Sequence, residues 1–164
     1  MQDSIQKMRL QNKPNIHFCF DTEQDGLRAA VVSNSVVGRG EIVATLESAT
    51  VVVILVGCYT NGSRIQQTIR QSLDRKKALL VIGVGNIKSV AGQVDFAGAN
   101  PLNEYEIFDN RFGYARRASD IYEYHDWVIG SGYQKLSGWI IKAQQIATSL
   151  YAGNAQKLTH GGKK

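Results

Sequence analysis

Thr50-Val51-Val52-Val53-Ile54-Leu55-Val56 is β-branched or leucine at every position and ends at Gly57. A run of this length without polar alternation presents apolar side chains on both faces, which suits a central strand of a parallel sheet covered above and below. Gly57-Cys58-Tyr59-Thr60-Asn61-Gly62 then supplies a turn. Ser63 is placed to cap a helix in which Ile65, Ile69 and Leu73 recur every four residues. Residues 78–84 form a second doubly apolar run. Strand, helix and strand in that order join most simply by a right-handed crossover, so the chain reads as α/β.

On the N-terminal side, Ile16-His17-Phe18-Cys19-Phe20 breaks into Asp21-Thr22-Glu23-Gln24-Asp25-Gly26, the pattern of a buried strand leaving its sheet. Residues 27–37 allow a short helix, and Gly38-Arg39-Gly40 interrupts the chain. Residues 41–48 carry Ile42, Val43 and Leu46 at helical spacing behind an acidic first turn, predicting a second short helix. On the C-terminal side, residues 85–103 hold Gly85, Gly92, Gly98 and Pro101 with little periodicity, a long loop of the functional or interactive kind. A last helix is predicted over residues 133–151, with Tyr133, Leu136, Ile140, Ala143, Ala147 and Leu150 on the face that seals the sheet. The expected organisation is a flexible segment over 1–15, one domain over 16–152 and a flexible tail over 153–164.

Composition bounds the function classes. With 164 residues, 43% hydrophobic and 20% charged, the chain fits one globular domain and excludes a disordered or collagenous protein. No apolar run approaches the roughly 20 residues of a membrane span, and the polar N-terminus lacks the apolar centre of a secretory signal, so a cytoplasmic protein is expected. Cys19 and Cys58 are expected as reduced thiols. The net charge of +5 raises nucleic acid as a partner. Against it, Lys7, Arg9, Lys13, Lys157, Lys163 and Lys164 sit near the ends, and the clusters Arg75-Lys76-Lys77 and Arg111, Arg116, Arg117 show no stripe of alternating aromatics.

Gly83-Val84-Gly85-Asn86 follows a strand yet has neither a third glycine at dinucleotide spacing nor a Gly-Lys-Ser/Thr ending. His17, His125 and His160 lack partners at metal-ligand spacing, so no metal is expected. Tyr122, Tyr124 and Trp127, with Tyr133 and Trp139, read as packing aromatics. Cys19 and Cys58 fall at the carboxyl edge of the sheet, where open parallel sheets bind ligands.

Taken together, the strings at 16–20 and 28–34, at 50–57 with Thr60, at 79–88 with Gly92, Gly98, Asn100 and Pro101, and Asp126-Trp127-Val128 with Gly132, Tyr133, Lys135, Ser137 and Trp139 resemble the TIR-like proteins of Thoeris anti-phage defence systems. The resemblance spans about residues 16–141. It implies a flavodoxin-like domain that, in active members, cleaves NAD at the nicotinamide–ribose bond to make an ADP-ribose-derived signal for an effector. A carboxylate on the helix after the central strand, within a Trp-x-x-x-Glu pattern, would stabilise the oxocarbenium-like ribose.

Two departures bear on that activity. Thr68 stands at the position of the family's Glu, no Glu occurs between Glu47 and Glu104, and the tryptophan is absent. Between Val37 and Glu41 only Gly38-Arg39-Gly40 stands where the family carries a further strand and a pocket loop, implying a shortened front edge. The expected nucleotide-binding set is Cys19, Phe20, Asp21, Thr22, Gly57, Cys58, Thr60 and Thr68. NAD enters as a possible substrate or ligand rather than a resident cofactor.

The resemblance implies assembly, nucleotide sensing or regulation with weak or lost cleavage. The alternative is an active hydrolase or cyclase using Asp21, Glu23 or Glu41, of which Asp21 is best placed. A flavodoxin-like or receiver-like module is a third reading, although Gly57-Cys58 occupies a receiver's acceptor position. The expected partners are further copies, another TIR protein or an effector, without membrane or nucleic acid.

Overall fold

The structure, a computed structural model, describes residues 13–58, 60 and 62–152. The expectations for the tail over 153–164 and for His160 lie outside these residues, as do those for 1–12, Tyr59 and Asn61. Its frame is a five-stranded sheet in the order β2-β1-β3-β4-β7, formed by β1 (Asn15–Cys19), β2 (Glu41–Ile42), β3 (Val51–Val56), β4 (Ala78–Gly83) and β7 (Tyr124–Asp126). Every pairing in it is parallel. With helices α1 (Thr22–Asn34), α2 (Ser63–Asp74) and α4 (Gly132–Tyr151) flanking it, this is a flavodoxin-like α/β architecture.

The centre forms for the reason its sequence suggests. All six residues of β3 and all six of β4 are buried, paired in register from Val51 opposite Ala78 to Val56 opposite Gly83. Ile65 and Ile69 bury one stripe of α2, with Leu73 packed at its margin. Leu136, Ile140, Ala143, Ala147 and Leu150 bury one stripe of α4. Tyr133 departs from that stripe: its ring is 64% exposed and lies beneath the Arg39 guanidinium, 5.0 Å from the ring centroid. Trp127 and Trp139 are buried, and the Trp127 ring lies so close to Gly132 that a Cβ there would stand 2.1 Å from it.

Four local expectations are corrected. The first helix starts at Thr22, because Asp21 caps it, and the polar cluster expected to be a turn is its first turn. Ser63 is the first residue of α2; Gly62 is the N-cap, without a side-chain cap. The second short helix over 41–48 does not form. The Glu41 N–H donates to the Pro14 carbonyl at 3.0 Å and the Val43 N–H to that of Ile16 at 2.9 Å, so extended backbone beside β1 captures these donors. The front-edge strand therefore exists, cut to two residues.

Residues 106–126 hold elements that the apolar pattern does not announce. A hairpin pairs β5 (Glu106–Asp109) with β6 (Tyr114–Arg117), followed by α3 (Ala118–Ile121) and β7. The long loop after β4 ends in a 3-10 turn (Pro101–Glu104) that Asn100 caps. Among the described residues no helix is long and apolar enough to cross a membrane.

Candidate functional site

The strand order reverses between β1 and β3, and in such sheets ligands bind at the carboxyl ends of the strands flanking that point. Cys19 ends β1 there, and Gly57 and Cys58 leave β3 beside it. The predicted residues fall into two clusters.

The first gathers Asp21, Thr22, Gly57 and Thr60 around a residue the sequence reading passed over, Asp25. Asp21 is engaged as the helix cap: its Oδ1 accepts from the Glu23 and Gln24 N–H groups at 3.0 and 3.1 Å. Asp25 is 2% exposed. Its Oδ2 accepts the Thr60 hydroxyl at 2.9 Å, and Thr60 Oγ1 accepts the Gly57 N–H at 2.6 Å. Only glycine fits at position 57, where a Cβ would stand 2.1 Å from Asp25 Oδ1. Burial pushes the Asp25 carboxyl above its ordinary range, outweighing the Thr60 hydrogen bond and the nearby Arg28.

Arg28, also buried, ties this cluster to the long loop. Its Nε donates to the Ile87 carbonyl at 2.8 Å, one guanidinium nitrogen pairs with Asp95, and the same nitrogen lies 3.8 Å from Asp25 Oδ1. Farther along the loop, Gly98 packs so tightly on the Gly57 carbonyl that a Cβ would stand 2.1 Å from that oxygen. The loop is thus strapped across the end of β3. Between it and α1 opens a cleft of about 630 Å³ lined by Thr22, Glu23, Leu27, Val90, Gln93 and Asp95, among others. The aspartate and arginine escaped the sequence reading because charges at positions 25 and 28 look like solvated helix residues. Their i,i+3 spacing beside a strand end was the available signal.

The second cluster joins Cys19 to α2. Thr68 and the Arg64 charge lie near enough to the Cys19 thiol to favour its thiolate, while burial, the larger influence, pushes its pKa up. Thr68 Oγ1 also donates to the Arg64 carbonyl at 3.0 Å. Phe20 packs partly buried against the core, and Cys58 is a half-buried free thiol. From Ser63 to Leu73, α2 carries no acidic residue. The second cluster therefore offers a hydroxyl, a thiol and a guanidinium, groups able to hold sugar hydroxyls or a phosphate but unable to oppose a developing cation.

No group of three His, Cys, Asp or Glu among the described residues is arranged to hold a metal ion. His17 Nδ1 lies 3.1 Å from the Val43 carbonyl, and His125 stacks on Trp139 at 4.2 Å. No family model matches the chain, and no curated protein matches it.

Proposed function

We propose that this chain is a TIR-like domain of a Thoeris-type anti-phage defence system. It would act in the cytoplasm by binding NAD or an NAD-derived nucleotide at the β1/β3 edge and responding through assembly, with its own NAD cleavage weak or lost. The observation that carries the reading is the Cys19–Thr68–Arg64 cluster, which has neutral and cationic groups where the resembled enzymes keep a carboxylate. A neutral hydroxyl can hold a ribose oxygen through the binding step. Without preorganised opposing charge, departure of nicotinamide slows on the order of a hundred- to thousand-fold. Of the other carboxylates at this edge, Asp21 holds the α1 N-terminus and Asp25 faces Thr60 and Gly57 in the interior, whereas Glu23 and Asp95 line the neighbouring cleft, Asp95 paired with Arg28; cleavage served by Glu23 is therefore the second reading that the experiment tests.

The experiment is to incubate the purified protein with NAD and with ADP-ribose, following nicotinamide release and protein-bound nucleotide by mass spectrometry. Retained nucleotide with negligible nicotinamide is expected, and Thr68→Arg should abolish retention by filling the site. Rapid nicotinamide release would overturn the loss of catalysis. Absence of any retained nucleotide would overturn the sensing role.

A further inference from the structure

We infer that the cleft between α1 and the long loop binds the amino-terminal end of a peptide, an ammonium beside a carbonyl oxygen, with an apolar first side chain. Arg28 sets the donor side. It is only 7% exposed, yet it lines this cleft of about 630 Å³. Its Nε donates to the Ile87 carbonyl and one terminal nitrogen pairs with Asp95 Oδ2, whereas its other terminal nitrogen has no partner among the described residues. Buried donors are bonded as a rule, so a guanidinium left partly unbonded at a cavity wall calls for an acceptor oxygen from a ligand.

The acceptor side is acidic. Asp95 Oδ1 and the Glu23 carboxylate are also without partners among the described residues, and both residues line the cleft. Arg28 and Asp95 cancel in charge, which leaves Glu23 uncompensated and the lining with one net negative charge. An anion set against Arg28 would meet Asp95 on the same guanidinium and Asp25 3.8 Å from it. A neutral carbonyl oxygen takes the free donor without that repulsion. An ammonium takes Asp95 Oδ1 and Glu23 and neutralises the lining. Donor and acceptor stand side by side on the Arg28–Asp95 pair, and the α-ammonium and first carbonyl of a peptide are adjacent in the complementary order. Leu27 and Val90, 69% and 89% exposed, supply apolar surface for the first side chain. The loop wall is braced, since the Ser89 N–H donates to the Gln93 carbonyl at 2.8 Å and the Gln93 N–H to Ser89 Oγ at 3.2 Å. A free amino acid would bring the disfavoured carboxylate and underfill a cleft the size of a drug-like ligand, so the occupant is a peptide end.

The inference does not rest on the nucleotide reading, and its binding test needs no nucleotide. The full chain, labelled with nitrogen-15, is titrated by NMR with Leu-Ala-Ala amide, with its acetylated form and with free leucine. Saturable shifts centred on residues 22–28 and 89–95 are expected for the peptide amide. The acetylated form, which lacks the ammonium, and leucine, which adds an anion, should bind about tenfold more weakly or worse. Glu23→Gln and Asp95→Asn should each weaken the peptide amide by about tenfold. Glu23 is exposed in the first turn of α1, so its variant keeps the test intact should Asp95→Asn disturb the loop. Four results would overturn the inference: no saturable shift, equal binding of the acetylated peptide, indifference to Glu23→Gln, or displacement of the peptide by NAD, which would give the cleft to the nucleotide.

Discussion

Asp25 at the switch point and Asp109 under the hairpin are both buried carboxylates beside arginine, yet their acidities move in opposite directions. Asp109 accepts two hydrogen bonds from Arg111, at 2.9 and 2.8 Å, a third from Arg116 at 2.9 Å and a fourth from the Arg111 N–H at 3.0 Å. Two cations serve one anion, and the carboxyl is held down at about 2. Around Asp25 the ratio is inverted. Arg28 is 3.8 Å away and shared with Asp95, so burial prevails and the carboxyl is pushed up. Proximity to arginine does not by itself compensate a buried charge; short geometry and a favourable ratio do. The hairpin cluster fixes a shape, whereas the switch-point cluster holds an under-compensated anion beneath a strap.

The sharpest way to break this contrast is to loosen the strap. Gly98→Ala would drive a Cβ against the Gly57 carbonyl, a backbone atom that cannot swing aside. Urea denaturation should show a loss of about 3 kcal/mol or more, the upper range for overpacking. A loss within error would mean that the loop is not pressed on β3, and the switch-point cluster would lose its cover.

The next effect belongs to the other cluster. Asp109→Asn removes the charge that holds two guanidiniums and should cost about 2 kcal/mol at neutral pH, because one unit of acidity shift corresponds to about 1.4 kcal/mol. Since the folded-state value lies below the unfolded one near 3.8, that contribution is fully present above about pH 4 and disappears as pH falls through about 2. Denaturation curves of parent and variant should therefore converge in acid. Curves that stay parallel would show that the arginines do not set the acidity of Asp109.

How much of this was legible in the sequence follows from what each residue buries. Val51–Val56 and Ala78–Gly83 are apolar on both faces, so their place at the centre of the sheet could be read directly. Residues 41–42 misled because Ile42 and Val43 after an acidic residue satisfy a helical pattern and an edge strand alike. Only the neighbouring β1 backbone decides between them. The hairpin was hidden for a related reason: its core-side positions include Asp109 and Arg116, an ion pair where alternation would call for apolar residues. At the candidate site, Cys19, Gly57 and Thr60 lie where the strand ends put them, whereas Thr68, within α2, was singled out only through the resemblance. Asp25 and Arg28 could not be placed, since a buried charge and a solvated one are spelled with the same letters.

The smallest effect tests the inverted ratio itself. Asp25→Asn keeps an acceptor for the Thr60 hydroxyl, discards a desolvated charge and gives up the attraction of Arg28. These changes offset one another, so stability at neutral pH should move by less than about 1 kcal/mol. The informative quantity is how that difference varies with pH. Because the Asp25 carboxyl is raised in the fold, the native parent takes up its proton before the unfolded chain does, and this group favours folding increasingly as pH falls through its raised value toward 3.8. The asparagine variant lacks that gain, so relative to the parent it should lose ground from neutral to mildly acid solution, opposite to the convergence expected for Asp109→Asn. Paired urea titrations across that range read the sign directly. A variant that instead gains on the parent in acid would mean that Arg28 compensates Asp25 as fully as its counterparts compensate Asp109, and the contrast between the two clusters would vanish.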